Sequence, residues 1–166
     1  MISLISGFIG TLIGASVSIF TTYLNNRNSV NIQMGNESFK RAELFREFQR
    51  DNLLKLQEKM SASMRLVGRA HFEDLKSFKE TNNWQSNLLD PDLDKDINES
   101  FRELSINAER IDNNELRNEV KRLKEQMDEC LLANNLASRR GRIAKLTKKF
   151  EVVMSQLGEV LRANYL

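Results

Sequence analysis

Residues 1–24 read MISLISGFIGTLIGASVSIFTTYL and contain no charged side chain. At about 1.5 Å of rise per residue, a helix over this segment would extend roughly 34 Å, enough to cross a hydrocarbon core of about 30 Å. Its only polar side chains carry hydroxyl groups, whereas a surface helix of a globular protein keeps a charged or polar face. The sequence therefore predicts a transmembrane helix over residues 1–26, a juxtamembrane linker over 27–36 and a helical domain over 37–166.

Two other interpretations of the opening segment stay open. A cleaved signal peptide normally starts with basic residues and ends at a small-residue site. No Lys or Arg precedes the apolar run here, and the apolar pattern resumes after Gly14-Ala15-Ser16, the best match to a cleavage site. The segment could also be a buried helix of a soluble protein.

The basic residues near the predicted span set its orientation. None precedes the span, whereas Arg27, Lys40 and Arg41 follow it. Because positive charge is retained on the cytoplasmic side, we expect a single-pass inner-membrane protein with its N-terminus outside and its C-terminal domain in the cytoplasm.

Small residues recur every four positions along the predicted span, at Ser6, Gly10, Gly14, Ser18 and Thr22. Residues four apart share one face of a helix, and small side chains allow a second backbone to approach closely. Gly10 and Gly14 also form a GxxxG motif. The pattern predicts a homo-oligomer that associates through this face, although small residues are common in transmembrane helices generally.

All 25 Lys and Arg residues and all 23 Asp and Glu residues follow residue 26, and the formal net charge is +2. This balance gives little long-range attraction for nucleic acid, which is therefore not an expected partner. One proline and many helix-favouring residues indicate an all-α domain. Apolar stripes at helical spacing over four segments predict an antiparallel bundle of about four helices, with a long coiled coil as the competing arrangement.

Local motifs divide the pattern into helices. The first stripe runs from Phe39 to Phe78 and is preceded by an Asn-rich segment, read as a linker or a frayed extension of the span. Asp90 and Pro91 predict the start of the next helix. Asp112 followed by Glu115 resembles a capping box, and residues 134–138 predict the last interruption.

The chain resembles small bacterial single-span proteins in its layout. The resemblance rests on the glycine-containing apolar start, on the basic helix FKRAELFREF over residues 39–48, and on the closing MSQLGEVLRANYL over residues 154–166. It implies a bacterial, phage or prophage origin and an inner-membrane location. Some proteins of this kind are encoded beside anti-phage systems. The resemblance therefore implies, as an expectation, that this chain belongs to such a setting.

Side chains suited to catalysis or metal binding are few. His71 and Cys130 are the only residues of their types, and both fall on apolar stripes. One chain therefore supplies neither a His/Cys zinc set nor a disulfide, and we expect no catalytic residue, metal or cofactor. Aspartates at 90, 92, 94 and 96 form an acidic cluster, but it lacks the glycine and the distal glutamate of an EF-hand loop.

The densest charge feature lies near the start of the last predicted helix. Its six cations could contact anionic lipid headgroups or another phosphate, or they could form a solvated face. They are Arg139, Arg140, Arg142, Lys145, Lys148 and Lys149.

Three classes of function follow from these observations. The first is a membrane-anchored interaction module that oligomerises through its span, contacts membrane lipids and binds a cytosolic protein partner. The second is an effector, of the toxin or anti-phage type, whose clustered spans permeabilise the membrane. The third is an enzyme, which the shortage of reactive side chains disfavours.

Overall fold

The computed structural model describes residues 2–84 and 89–165, and it leaves the side chains of residues 2–13 and Ala15 undescribed. The chain divides into two compact units, Met1–Phe45 and Arg46–Leu166. No strand occurs in the part of the chain that the structure describes, and its four helices are α1 (Ile2–Thr81), α2 (Pro91–Glu109), α3 (Asn114–Leu131) and α4 (Leu136–Ala163).

The second unit is an up-down-up-down bundle. Polar contacts join each pair of neighbouring helices. Along every pair, the residue numbers of the contacting residues rise in one helix while they fall in the other, so all four pairs are antiparallel. The pairs are Asn52–Asn107 and Ser63–Ser100 between α1 and α2, Lys121–Glu109 and Lys124–Phe101 between α2 and α3, Arg142–Glu129 and Lys149–Glu119 between α3 and α4, and Arg50–Asn164 and Asp74–Arg139 between α1 and α4. The predicted all-α bundle of four helices is confirmed.

The bundle core consists of the predicted apolar stripes. Side chains spaced three or four residues apart on each helix are buried against the other helices, which removes their apolar surface from water. Among them are Leu53, Leu56 and Met60 of α1, Leu93, Ile97 and Leu104 of α2, Leu116, Val120 and Leu123 of α3, and Leu146, Val153 and Leu157 of α4.

Side-chain caps fix where the later helices begin. The Asp90 carboxylate accepts hydrogen bonds from the backbone N–H groups of Asp92 at 2.9 Å and Leu93 at 3.1 Å, and Pro91 takes the first helical position. Asn135 caps α4 in the same way, by accepting from the Ser138 N–H at 2.8 Å.

The predicted cap of α3 is one residue too early. Asn113, not Asp112, is the N-cap, and its side-chain oxygen accepts from the Leu116 N–H at 2.9 Å. Asn and Asp are about equally good N-caps, so tertiary contacts decide between the two neighbours. The Asp112 N–H donates to Gln49 Oε1 at 3.1 Å, which holds Asp112 in the turn before the helix.

The predicted transmembrane helix over residues 1–26 is wrong for the part of the chain that the structure describes, where no helix is both long enough and apolar enough to cross a membrane. The predicted inner-membrane location rested on this helix and is wrong on the same finding.

The segment predicted as a linker or as an extension of the preceding helix is helical in the structure. Residues 27–36 are helical and belong to α1, which runs on without interruption to Thr81. The segment contains no proline, and Gly35 costs a helix only about 1 kcal/mol relative to alanine. The compact units divide after Phe45 rather than at the predicted boundary between residues 36 and 37.

Gln49 provides a test of how the bundle holds its α2–α3 turn. Its amide nitrogen donates to the Arg110 carbonyl at 3.0 Å while its amide oxygen accepts from Asp112, and the residue is 4% exposed. Gln49→Ala should lower the free energy of unfolding by about 1–3 kcal/mol, because it leaves two backbone groups without partners. Gln57, an exposed glutamine on the same helix, supplies the control: Gln57→Ala should change the free energy of unfolding by less than about 0.5 kcal/mol in urea denaturation. Equal losses in the two variants would contradict this role.

Candidate functional site

A buried arginine lies at one end of the bundle, where α1 and α3 end and α4 begins. Arg139 is 1% exposed. Its Nη1 atom lies 3.1 Å from Asp74 Oδ2 of α1 and donates a hydrogen bond to the Leu131 carbonyl of α3 at 3.0 Å. The Nε and Nη2 atoms are also buried, and they have no hydrogen-bond partner among the described residues. A single side chain therefore contacts two other helices and still has donors available.

Trp84 closes over this arginine. The chain leaves α1 through Asn82, whose φ of 53° is a left-handed conformation that asparagine tolerates well. The indole N–H of Trp84 then donates to the Ala133 carbonyl at 2.8 Å, and its ring centroid lies 6.0 Å from the Arg139 guanidinium carbon. At that distance the guanidinium gains a cation–π interaction with the ring. We call Arg139, Asp74, Trp84 and His71 the Arg139 cluster.

Burial governs protonation in the Arg139 cluster. It raises the pKa of the Asp74 carboxyl, although the positive charge of Arg139 acts in the opposite direction. It likewise lowers the pKa of the Arg139 guanidinium, with Asp74 opposing. His71, whose ring lies 6.5 Å from that of Trp84, has a pKa lowered first by burial and then by Arg139. His71 is therefore neutral at physiological pH.

A cavity of about 580 Å³ lies beside the Arg139 cluster and opens to solvent, since its lining includes the exposed residues Asp94, Asn98 and Leu132. Arg139, Asp74, Asp94, Asn98 and Asp128 form its polar lining, and the apolar part comes from residues of α2, α3 and the turn before α2. Its volume falls in the range typical of small-molecule sites. No group of three or more His, Cys, Asp or Glu residues in the described part of the chain is arranged to hold a metal ion.

The structure divides the six predicted cations into two sets. Arg139 is buried, Arg142 donates to the Glu129 carbonyl at 2.6 Å, and Lys149 pairs with Glu119. These three residues are therefore engaged within the bundle. The other three, Arg140, Lys145 and Lys148, are exposed. Contact of the exposed set with anionic lipid or phosphate stays a prediction.

Cys130 lies in the core, and Asp90 and Asp94 make hydrogen bonds within the fold. Cys130 is buried in the core, and burial raises the pKa of its thiol, which keeps it out of the nucleophilic thiolate form at neutral pH. Asp90 serves as the N-cap of α2, and Asp94 accepts a hydrogen bond from the Asn98 amide at 3.2 Å.

The first unit presents a second candidate site, an exposed apolar surface on α1. Five of the exposed apolar side chains in this part of the helix share one face, and they are between 46% and 65% exposed: Val17, Phe20, Leu24, Met34 and Phe45. We call them the α1 stripe. Exposed apolar side chains that share one face of a helix are typical of an interaction site.

The stripe has a regular spacing. Val17, Leu24 and Phe45 fall on a seven-residue repeat whose other two positions are Asn31 and Ser38. Of the positions three residues after the first four of these, Phe20 and Met34 are apolar, and Arg27 and Arg41 are charged. Side chains in this pattern share one face of a helix, as in helices that associate with one another.

The predicted oligomerisation face lies partly outside the described residues. Nothing can be said of the side chains of Ser6 and Gly10. Gly14, Ser18 and Thr22 are exposed, and a Cβ atom added at Gly14 would meet no atom within 4 Å. Association through this face stays a prediction. Its predicted setting inside a membrane is withdrawn together with the transmembrane helix.

Sequence reasoning missed the Arg139–Asp74 pair because it grouped Arg139 with the neighbouring cations. The periodicity of α4 contained the necessary signal. Its apolar stripe includes Ile143, Leu146 and Phe150, and one step of four residues back from Ile143 reaches Arg139. The position of Arg139 on the inward face of α4 was therefore the signal of its burial that the sequence contained.

No protein-family model, curated protein or solved structure matches this chain at a significant level. The resemblance to small bacterial proteins therefore stays a prediction. Its single-span feature is wrong, because no helix in the described part of the chain is long and apolar enough to cross a membrane.

Arg139→Met and Arg140→Met form a matched pair that tests the importance of the buried cation. Arg139→Met should lower the free energy of unfolding by about 3–5 kcal/mol, because it leaves the buried Asp74 carboxylate without its partner. Arg140→Met should change it by less than about 0.5 kcal/mol, since Arg140 is exposed. Adding Asp74→Leu to Arg139→Met should recover much of the loss. Chemical denaturation of the four proteins checks all three expectations, and equal stability of the two single variants would contradict them.

His71 should make the stability of the bundle depend on pH. Its pKa is lowered in the folded state by burial and by Arg139 and Arg140, against an opposing effect of Asp74. The unfolded chain therefore binds this proton at a higher pH than the folded chain does. The free energy of unfolding should fall as the pH drops below about 6.5, and His71→Gln should show a smaller fall over the same range. Identical pH dependence of the two proteins between pH 7.5 and 5.5 in urea denaturation would rule out this contribution.

Proposed function

We propose that this protein is a helical interaction module, rather than an enzyme, and that it associates with a second copy of itself through the α1 stripe. The observation that carries the proposal is the exposure of five large apolar side chains on one face of α1. Burying that face against another helix would remove its apolar surface from water.

A second copy suits this surface better than a strongly charged partner. Arg27 is the only charged residue before Glu37, so the surface offers few groups for selecting a partner by charge. Asn31, in the middle of the seven-residue repeat, can both donate and accept a hydrogen bond through its amide. Asparagine at such a position pairs with its equivalent in parallel helical dimers and fixes their register.

The polar repeat positions do not prevent this association. The Ser38 hydroxyl donates to the Gly35 carbonyl of its own helix at 2.8 Å, so it can be covered without losing its hydrogen bond. Next to it, Glu37 pairs with Arg41 at 3.5 Å within the same helix. The interaction module predicted from the sequence is thus retained without a membrane anchor, and binding of a further protein partner by the bundle stays a prediction. The membrane-permeabilising alternative requires a spanning helix, and we do not retain it.

Two double variants of equal charge test the α1 stripe. Leu24→Glu with Met34→Glu places charges on the stripe and should convert the full chain to monomers, because burying unpaired carboxylates is costly. Ser29→Glu with Asn36→Glu places the same charges on the opposite side of the helix and should leave association unchanged. Sedimentation equilibrium of the three proteins measures their masses. A monomeric parent chain, or equal dissociation in both double variants, would refute self-association through this stripe.

A further inference from the structure

We propose that the cavity beside Arg139 binds a small zwitterion, an α-amino acid with an apolar side chain, whose carboxylate pairs with Arg139 and whose ammonium group pairs with Asp94. Binding at this cavity is independent of self-association through the α1 stripe, since the residues that line it all belong to the bundle. Three properties of the lining determine the chemical class of the ligand.

The first property is the unused edge of the Arg139 guanidinium. Asp74 and the Leu131 carbonyl both occupy Nη1, whereas the buried Nε and Nη2 atoms have no partner among the described residues. These two N–H groups form one side of the planar guanidinium, the arrangement that binds the two oxygens of a carboxylate side by side. Buried charged donors without acceptors cost free energy, which a ligand carboxylate would recover once a shift of the Arg139 side chain opened this buried edge to the cavity that it lines.

The second property is the negative charge around that edge. Three aspartates line the cavity, at positions 74, 94 and 128, against one arginine. Asp74 pairs with Arg139, and Asp128 pairs with Lys124 at 2.9 Å. Asp94 accepts a hydrogen bond from the neutral Asn98 amide and forms no ion pair in the described part of the chain. A simple anion would therefore be repelled, whereas a ligand that also carries an ammonium group complements Asp94.

The third property is the apolar wall between the charged groups. It is formed by Leu89, Ile97, Phe101, Leu131 and Leu132. A volume of about 580 Å³ leaves room for an aliphatic or aromatic side chain in addition to the two charged groups. Burial of that side chain adds affinity through the hydrophobic effect, so glycine should bind more weakly than phenylalanine.

Three ligands separate the contributions of the carboxylate and the ammonium group to binding. L-phenylalanine carries both charges, N-acetyl-L-phenylalanine lacks the ammonium group, and L-phenylalaninamide lacks the carboxylate. In isothermal titration of the full chain, L-phenylalanine should bind, and each blocked ligand should bind about tenfold or more weakly. Equal affinity for all three would overturn the proposal, as would the absence of L-phenylalanine binding to the folded protein at about 10 mM, above the millimolar range of weak small-ligand sites.

Two aspartate variants on one helix provide the protein-side test. Asp94→Asn should weaken L-phenylalanine binding about tenfold but not that of N-acetyl-L-phenylalanine, because that ligand has no ammonium group for Asp94 to contact and its carboxylate is repelled by Asp94. Asp96→Asn removes an equally exposed charge that does not line the cavity and should change neither affinity. Both residues are exposed, so both variants should stay folded, and Asp94→Asn should lower the melting temperature only slightly, because it removes a carboxylate from the first turn of α2. An equal effect of the two variants would overturn the assignment of Asp94.

Discussion

Burial of the Arg139 guanidinium is the constraint on which the geometry of this end of the bundle depends. A cation taken out of water costs several kcal/mol unless opposite charge and hydrogen bonds compensate for the lost hydration. Here the compensation comes from a carboxylate of α1 and a carbonyl near the end of α3, while the arginine itself belongs to α4. Moving any of these helices by one turn, about 5.4 Å, would separate the charges inside the protein. The apolar core does not impose such a requirement, because hydrophobic contacts are not directional.

A second set of polar contacts fixes the opposite end of the bundle. Gln49 and Asn52 of α1 are both 4% exposed, and their amides donate to backbone carbonyls at the end of α2 and just beyond it. Between the two ends, the Ser63 and Ser100 hydroxyls form a buried hydrogen bond of 2.8 Å. Each of these groups would lose a partner if α1 slid along α2. Polar contacts at three levels therefore fix the register of helices whose apolar faces alone would tolerate alternatives.

The parts of the structure that could be predicted from the sequence are those determined by local chemistry. The start of α2 follows from Asp90 and Pro91, and the stripes of α2 and α3 follow from spacing, because neighbouring residues decide each of them. The cap of α3 could not be predicted to the residue, since the choice between Asp112 and Asn113 depends on Gln49, more than 60 positions away in the chain. The same limit applies to the candidate site. Arg139 lies in a run of cations, and only its partner on α1 distinguishes it from the exposed Arg140.

The apolar start of the chain was misinterpreted for a related reason. Hydropathy measures how poorly a segment is solvated by water, but it does not identify the surroundings that replace water. The apolar pattern over residues 14–26 is compatible with lipid, with a protein core or with another helix. No helix in the described part of the chain is long and apolar enough to cross a membrane, and apolar side chains of α1 are exposed at helical spacing. Asn31 and Ser38 lie beyond the predicted span and interrupt the α1 stripe at repeat positions. A helix–helix contact in water tolerates such residues and, with asparagine, uses them to set register. The spacing of polar positions within an apolar stripe therefore carries information about a helical partner that the average hydropathy does not contain.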